Sequence, residues 1–110
     1  MKKKFLMDAG SFRTIAVVFG SCFATDRITV DGALVGYMYR EEPRDNIDSG
    51  WSFFAGDEYQ EYCDEPSNYE IYDVNTIANY DPTITPFLEA PAGTAFIRRG
   101  DTFVIDGEPG

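Results

Sequence analysis

The chain has 110 residues, enough for one domain with a real core. With 44% hydrophobic and 15% aromatic residues it lies far from disordered compositions, in spite of a formal net charge of −10. That charge sets aside nucleic acid and anionic membrane as partners, and the lack of any histidine removes the commonest general base and the Ser-His and Cys-His nucleophile pairs.

The chain opens MKKKFLMDAGSFRTIAVVFGSC, which has some features of a secretion signal. Asp8 and Arg13 interrupt its apolar stretch, and the residues before Cys22 fit a lipoprotein cleavage site poorly, so a cytoplasmic protein is expected. No run approaches the length of a membrane span. Residues 14–19 (TIAVVF), β-branched and bounded by Gly20, predict a buried strand. Residues 27–30 predict a short strand, Asp31-Gly32 a hairpin turn and residues 34–40 the returning strand. Pro43 ends it, and residues 41–50 form an acidic loop. Residues 51–55 (WSFFA) predict the next strand, closed by Gly56. Asp57 is then expected to cap a helix reaching about Asp64, with Glu58 and Glu61 near its positive end. Residues 69–72 read as a short extended piece, 73–79 as a capped helical turn or two, and 83–90 as a short helix with Pro86 in its first turn. Residues 94–98 and 102–105, joined by Arg99-Gly100-Asp101, predict a closing hairpin. The expected fold is therefore α+β, a small single domain over 15–106 with a mostly antiparallel sheet and two or three short helices. Residues 1–14 stand as an N-terminal extension and 107–110 as a tail.

The negative charge is concentrated. Between Glu41 and Asp81 there are twelve acids and one base, Arg44, or −11, while the remainder has seven acids and eight bases, or +1. A solubilising face and a surface recognising a basic protein both account for this. Cys22 and Cys63 form no CxxC and suggest two free thiols rather than a zinc site. An EF-hand loop starting at Asp45 fails, because Ile47 and Gly56 fall where oxygen ligands are required. A looser set, Asp45, Asp48 and Asp57, is better read as acids of turns than as a metal site. No phosphate-binding glycine motif occurs, and no cofactor or catalytic residue is assigned.

What remains is the interleaving of rings and acids around DSGWSFFAGDEYQEY. Strand alternation puts Trp51 and Phe53 on one face and Phe54 on the other. One face is core; the second either joins the core or anchors a partner. The candidate partner-binding residues are Asp45, Asp48, Glu58, Tyr59, Glu61, Tyr62 and Asp64. Trp51, Gly56 and Asp57 are read as structural.

Three blocks, GYMYREEP (36–43), DSGWSFFAGDE (48–58) and IYDVNTIANYDPTITPFLEAPAGTAF (71–96), give the chain a specific resemblance to immunity protein family 33, predicted immunity proteins of bacterial polymorphic toxin systems. The family signature, a tryptophan and a downstream Gly-Asp pair, is matched by Trp51 and Gly56-Asp57. The resemblance implies a non-catalytic α+β protein that binds and neutralises a cognate toxin encoded beside it. An acidic, aromatic surface suits a basic toxin. The alternatives are a general cytoplasmic protein-binding or regulatory module, and a small enzyme using carboxylates or a divalent metal.

Overall fold

A computed structural model describes Phe5, Met7 and residues 12–16 and 19–106 of the chain. Among the described residues six strands form one sheet: β1 (Ser21–Thr25), β2 (Tyr37–Arg40), β3 (Asp48–Phe54), β4 (Tyr69–Asp73), β5 (Ala95–Arg99) and β6 (Thr102–Ile105). Their order is β4-β1-β3-β2-β5-β6, with β1 and β3 parallel and every other pair antiparallel. Between the strands lie the short helices α1 (Asp26–Thr29), α2 (Gln60–Cys63) and α3 (Val74–Tyr80), and two 3-10 helices, Pro66–Asn68 and Pro82–Phe87. The expected α+β class with a mostly antiparallel sheet is the one observed.

Strand alternation divides the sheet into two unlike faces. On one, Cys22, Ala24, Met38, Trp51, Phe53, Phe96 and Phe103 are buried beneath Ile28 of α1, Val74, Ile77 and Ala78 of α3, and Ile84. Trp51 stacks 5.8 Å from Phe53 and 6.3 Å from Phe96, and Phe87 closes on Phe96 and Phe103 at 5.2 and 5.4 Å. Each such side chain contributes roughly 1.5–3 kcal/mol of transfer free energy. Caps fix where the covering helices start. The Asp73 carboxylate accepts from the Asn75 N–H (2.8 Å) to begin α3, and Asp81 accepts from the Thr83 N–H (3.1 Å) to begin the second 3-10 helix.

Several local expectations are corrected. Of the TIAVVF run, Val17 and Val18 lie outside the described residues, and residues 14–16 and 19 form no strand. Their backbone is bonded instead to α3: the Asn75 side chain accepts from the N–H groups of Ile15 (2.6 Å) and Ala16 (2.8 Å), and that of Asn79 from Arg13 (2.7 Å). The first strand is instead Ser21–Thr25. Residues 26–29 are helical, not extended, because Ile28 and Thr29 are both buried against the covered side, which consecutive residues achieve more readily on a helix. Gly32, at φ +83°, ends that helix with its N–H bonded to Ile28 O (3.2 Å) rather than turning a hairpin. Pro82, not Pro86, occupies the start of the last helix.

Candidate functional site

Among the described residues no such helical layer covers the second face of the sheet. Two transverse rows of side chains stand on it, fixed by strand register: Ile71, Phe23, Ser52, Tyr39 and Ala95 in one, and Phe54, Tyr37, Ile97 and Val104 in the other. Ile71 is 62% exposed, Val104 41% and Ile97 38%, while the rings are half-buried by one another. Tyr37, Tyr39 and Phe54 form a triangle with centroids 5.8–6.1 Å apart, and Tyr69 meets Phe54 edge-on at 6.2 Å. Against this floor the segment from Ala55 to Pro66 raises one wall. Two hollows result, of about 690 and 410 Å³, which share Tyr39, Phe54 and Cys63.

The wall is held by Glu58. Its carboxylate accepts from Thr25 Oγ1 (2.6 Å) and from the N–H groups of Ala55 (2.8 Å) and Gly56 (2.9 Å), so it ties the loop after β3 to the end of β1. Gly56 takes φ +97°, a conformation other residues adopt only under strain. Gly36 permits the closest approach: a Cβ there would overlap the Ala55 carbonyl oxygen. Asp57 is not a helix cap. It pairs with Arg27 through two bonds, 2.6 and 3.1 Å, and that guanidinium holds its carboxyl below the usual range. Helix α2 begins only at Gln60, without a side-chain cap.

Acids surround the hollows. Asp57 and Glu58 line the larger, Glu41 and Asp64 the smaller. Among the described residues the only base on either lining is Arg98, which Asp81 neutralises at 2.6 Å. The phenols share this field: burial, then Asp106 and Tyr39, raise Tyr37, and burial, then the neighbouring Cys63, Tyr39 and Glu58, raise Tyr69, so both stay protonated in neutral water.

The sequence-derived candidates divide in two. Tyr59 is 67% exposed, Glu61 and Asp64 are exposed, and Tyr62 is half-buried with its ring 6.4 Å from that of Tyr59, all on or beside α2. Asp45 and Asp48 instead shape the loop before β3. Asp45 accepts from the N–H groups of Ile47 and Asp48 (both 2.9 Å), and Asp48 from Gly50 N–H (3.1 Å) and the Arg44 side chain (3.2 Å). Asp57 lies beyond the far end of β3, so Asp45, Asp48 and Asp57 are not brought together. Among the described residues no group of three or more His, Cys, Asp or Glu is placed to hold a metal, and no helix is long and apolar enough to cross a membrane.

Burial pushes the Asp48 carboxyl up, but the Arg44 and Gly50 N–H groups and the Arg44 guanidinium outweigh it and hold the carboxyl low. A depressed carboxylate stabilises the fold above its unfolded value, about 3.9, and this contribution disappears as pH falls through the folded value. Asp48→Asn is therefore expected to be less stable than the parent at pH 7 and to converge with it as pH falls through the depressed folded value. Urea midpoints followed by tryptophan fluorescence across that range check this.

A model of the immunity protein Imm33 domain matches residues 22–105. The chain belongs to this family. No curated protein and no solved structure matches it. The matched span contains both hollows and all six strands except the first residue of β1, and Imm33 membership implies a toxin-neutralising, non-enzymatic role.

Sequence reasoning placed the candidate Imm33 surface on α2 and the acidic loop, and did not select the floor between them. Phe23, Tyr37, Tyr39, Phe54 and Tyr69 were all visible as rings. The signal lay in alternation: Tyr37 and Tyr39 flank the buried Met38, and Phe54 follows the buried Phe53.

Proposed function

We propose that the protein is a stoichiometric, non-catalytic inhibitor that lays the open face of its sheet on a basic surface of a cognate toxin in the cytoplasm. The observation that carries this reading is the one-sided covering of the sheet, which leaves Tyr37, Tyr39 and Phe54 clustered on a face rimmed by Glu41, Asp57, Glu58 and Asp64. Tyrosine-rich apolar surface is the kind that concentrates binding energy at interfaces, and surrounding carboxylates raise the rate of encounter with a cation-rich partner. Helix α2, with Glu61 and Tyr59 exposed, extends the same rim. The acids would occupy the charges a basic toxin otherwise presents to its own substrate.

The test uses the toxin encoded by the adjacent gene, purified with its catalytic residue inactivated. Phe54→Arg, which sets a cation among the rings, is expected to weaken binding at least 100-fold and to abolish protection of cells expressing active toxin. Reversing Glu41, Glu61 and Asp64 to lysine, whose carboxylates make no bond to the sheet among the described residues, is expected to slow association about 10-fold at low salt, with the difference fading above about 0.5 M salt. Glu89→Lys, in the layer over the covered face, should bind as the parent does. Unchanged binding by Phe54→Arg, with its thermal midpoint retained, sinks the open-face reading.

A further inference from the structure

The chain already contains one guanidinium bound between a ring of the open face and an acid. Arg44 lies with its guanidinium carbon 4.9 Å from the Phe23 ring centroid while its Nε pairs with Asp48 at 3.2 Å. Arg98 and Arg40 lie over Phe103 and Trp51 at 4.7 and 5.7 Å. In two of these three, Arg44 with Asp48 and Arg98 with Asp81, a carboxylate lies beside the stacked guanidinium, while that of Arg40 is held by backbone carbonyls. The triangle of Tyr37, Tyr39 and Phe54 offers the same components with no cation of the described chain over them. Tyr39 and Phe54 are stacked nearly parallel, 18° apart, and Tyr37 is inclined to them by about 50°, so the three rings make an uneven seat rather than a flat floor. Glu41 lines the smaller hollow beside Tyr39, and its carboxylate has no hydrogen-bond or ion-pair partner among the described residues. The hollow at this seat, about 690 Å³, is far larger than one side chain needs, so the chain carrying that side chain has room to enter with it.

We infer that this seat receives an arginine side chain of the toxin, its planar guanidinium over Tyr39 and Phe54 and its charge met by the rim carboxylates. The inference rests on the open-face reading above and names the group that face recognises. Arginine fits better than lysine because a flat, weakly hydrated cation stacks on rings and keeps its edge hydrogen bonds, whereas an ammonium must shed a tighter water shell.

Two measurements separate this from the open-face reading. In the first, N-acetylarginine amide and the neutral isostere N-acetylcitrulline amide are titrated into the full chain and followed by proton NMR. Expected are saturable shifts of the Tyr37, Tyr39 and Phe54 ring protons and upfield movement of the arginine δ-methylene, at least about 3-fold tighter than for citrulline. In the second, the double variant Tyr37→Leu/Tyr39→Leu, which keeps apolar bulk, is compared with Tyr37→Phe/Tyr39→Phe, which keeps the rings. The leucine pair is expected to lose arginine shifts and to bind the adjacent-gene toxin about 10- to 30-fold more weakly; the phenylalanine pair should stay within about 2-fold of the parent. Thermal midpoints confirm that both are folded. If citrulline titrates like arginine, or both pairs bind toxin alike while Phe54→Arg still abolishes binding, the arginine seat is overturned and the open face stands. If Phe54→Arg leaves toxin binding intact, the toxin is not the source of the side chain and the inference falls with the reading beneath it.

Discussion

Replacing Asp81 with alanine is expected to lower stability by about 3–5 kcal/mol, a large share of the 5–15 kcal/mol typical of a domain. Asp81 is 1% exposed, and its carboxylate accepts from Val35 N–H (2.9 Å), Thr83 N–H (3.1 Å), the Thr83 hydroxyl and Arg98 Nη2 (2.6 Å). Alanine leaves two backbone donors and a guanidinium without their acceptor, and it is this orphaning rather than the lost attraction that dominates. With a urea slope of about 1–3 kcal/mol per molar, the midpoint should fall by roughly 2 M, read from Trp51 fluorescence. Asp81→Asn keeps an acceptor for one or two of these donors but drops the charge, so it should fall between alanine and the parent. A midpoint shift below about 0.5 M for alanine would contradict this account. The site is affected too. Arg98 donates to Val35 O (2.7 Å) as well as to Asp81, so the pair fixes the approach to β2 just before Gly36 and Tyr37. Loosening it in a variant that still folds is expected to weaken toxin binding several-fold by blurring the seat.

Trp51 and the rings offered to a partner lie on opposite sides of one sheet, and the loop after β3, with Gly56 and Asp57, joins that strand to the rim of the open face. Trp51 anchors β3 from beneath. Gly56 turns the chain at a φ that other residues avoid, and Asp57 pins the turn to Arg27 of α1, whose guanidinium also pairs with Asp31 at 3.2 Å. Glu58 then closes the loop on β1. The outcome is a wall beside Phe54 made from groups that are already hydrogen-bonded, so little needs to be ordered when a partner arrives.

How much of this was legible follows from which interactions are local. The β5–β6 hairpin and α3 were readable because their signals sit within a few residues: a Gly turn between alternating segments, and an Asp cap followed by apolar positions 74, 77 and 78. β1 was missed since SCFAT has little β-branched character, and its pairing with β3 is parallel and so depends on residues 27 to 29 positions away. The opposite error occurred at residues 14–16 and 19, the described part of the TIAVVF run, and at 27–30. There β-branched residues favoured strands, but the side-chain amides of α3 and burial beneath the covered face decided otherwise. For the site, alternation alone separated Phe54 from Trp51 and Phe53. It did not say which face is covered, because that is settled by α3 and the 82–87 helix, which arrive later in the chain and pack on one side only. Asp48 and Glu58 are drawn into backbone hydrogen bonds, a use that sequence does not distinguish from display to a partner.

Trp51→Ala is expected to cost about 3–5 kcal/mol, and Trp51→Phe only about 1–2. The indole is fully buried, stacked on Phe53 and Phe96, with the Arg40 guanidinium 5.7 Å from its centroid. Its Nε1 donates to Leu88 O at 3.1 Å. Alanine removes the largest side chain of the core and opens a cavity between β3 and the covering helices, whereas phenylalanine retains most of the stack. Nor does phenylalanine orphan Leu88 O, because that carbonyl also accepts from Arg40 Nη1 at 3.2 Å. Urea midpoints measured by circular dichroism, since the only tryptophan is lost, distinguish the two losses. The same pair of variants separates scaffold from contact. Trp51 faces away from the open side, so Trp51→Phe, once folded, should bind toxin within about 2-fold of the parent, while Phe54→Arg, three residues along the same strand, loses at least 100-fold. If Trp51→Phe instead lost binding as severely with its fold intact, the covered face would be the toxin's surface, and the division of labour across the sheet would have to be reversed.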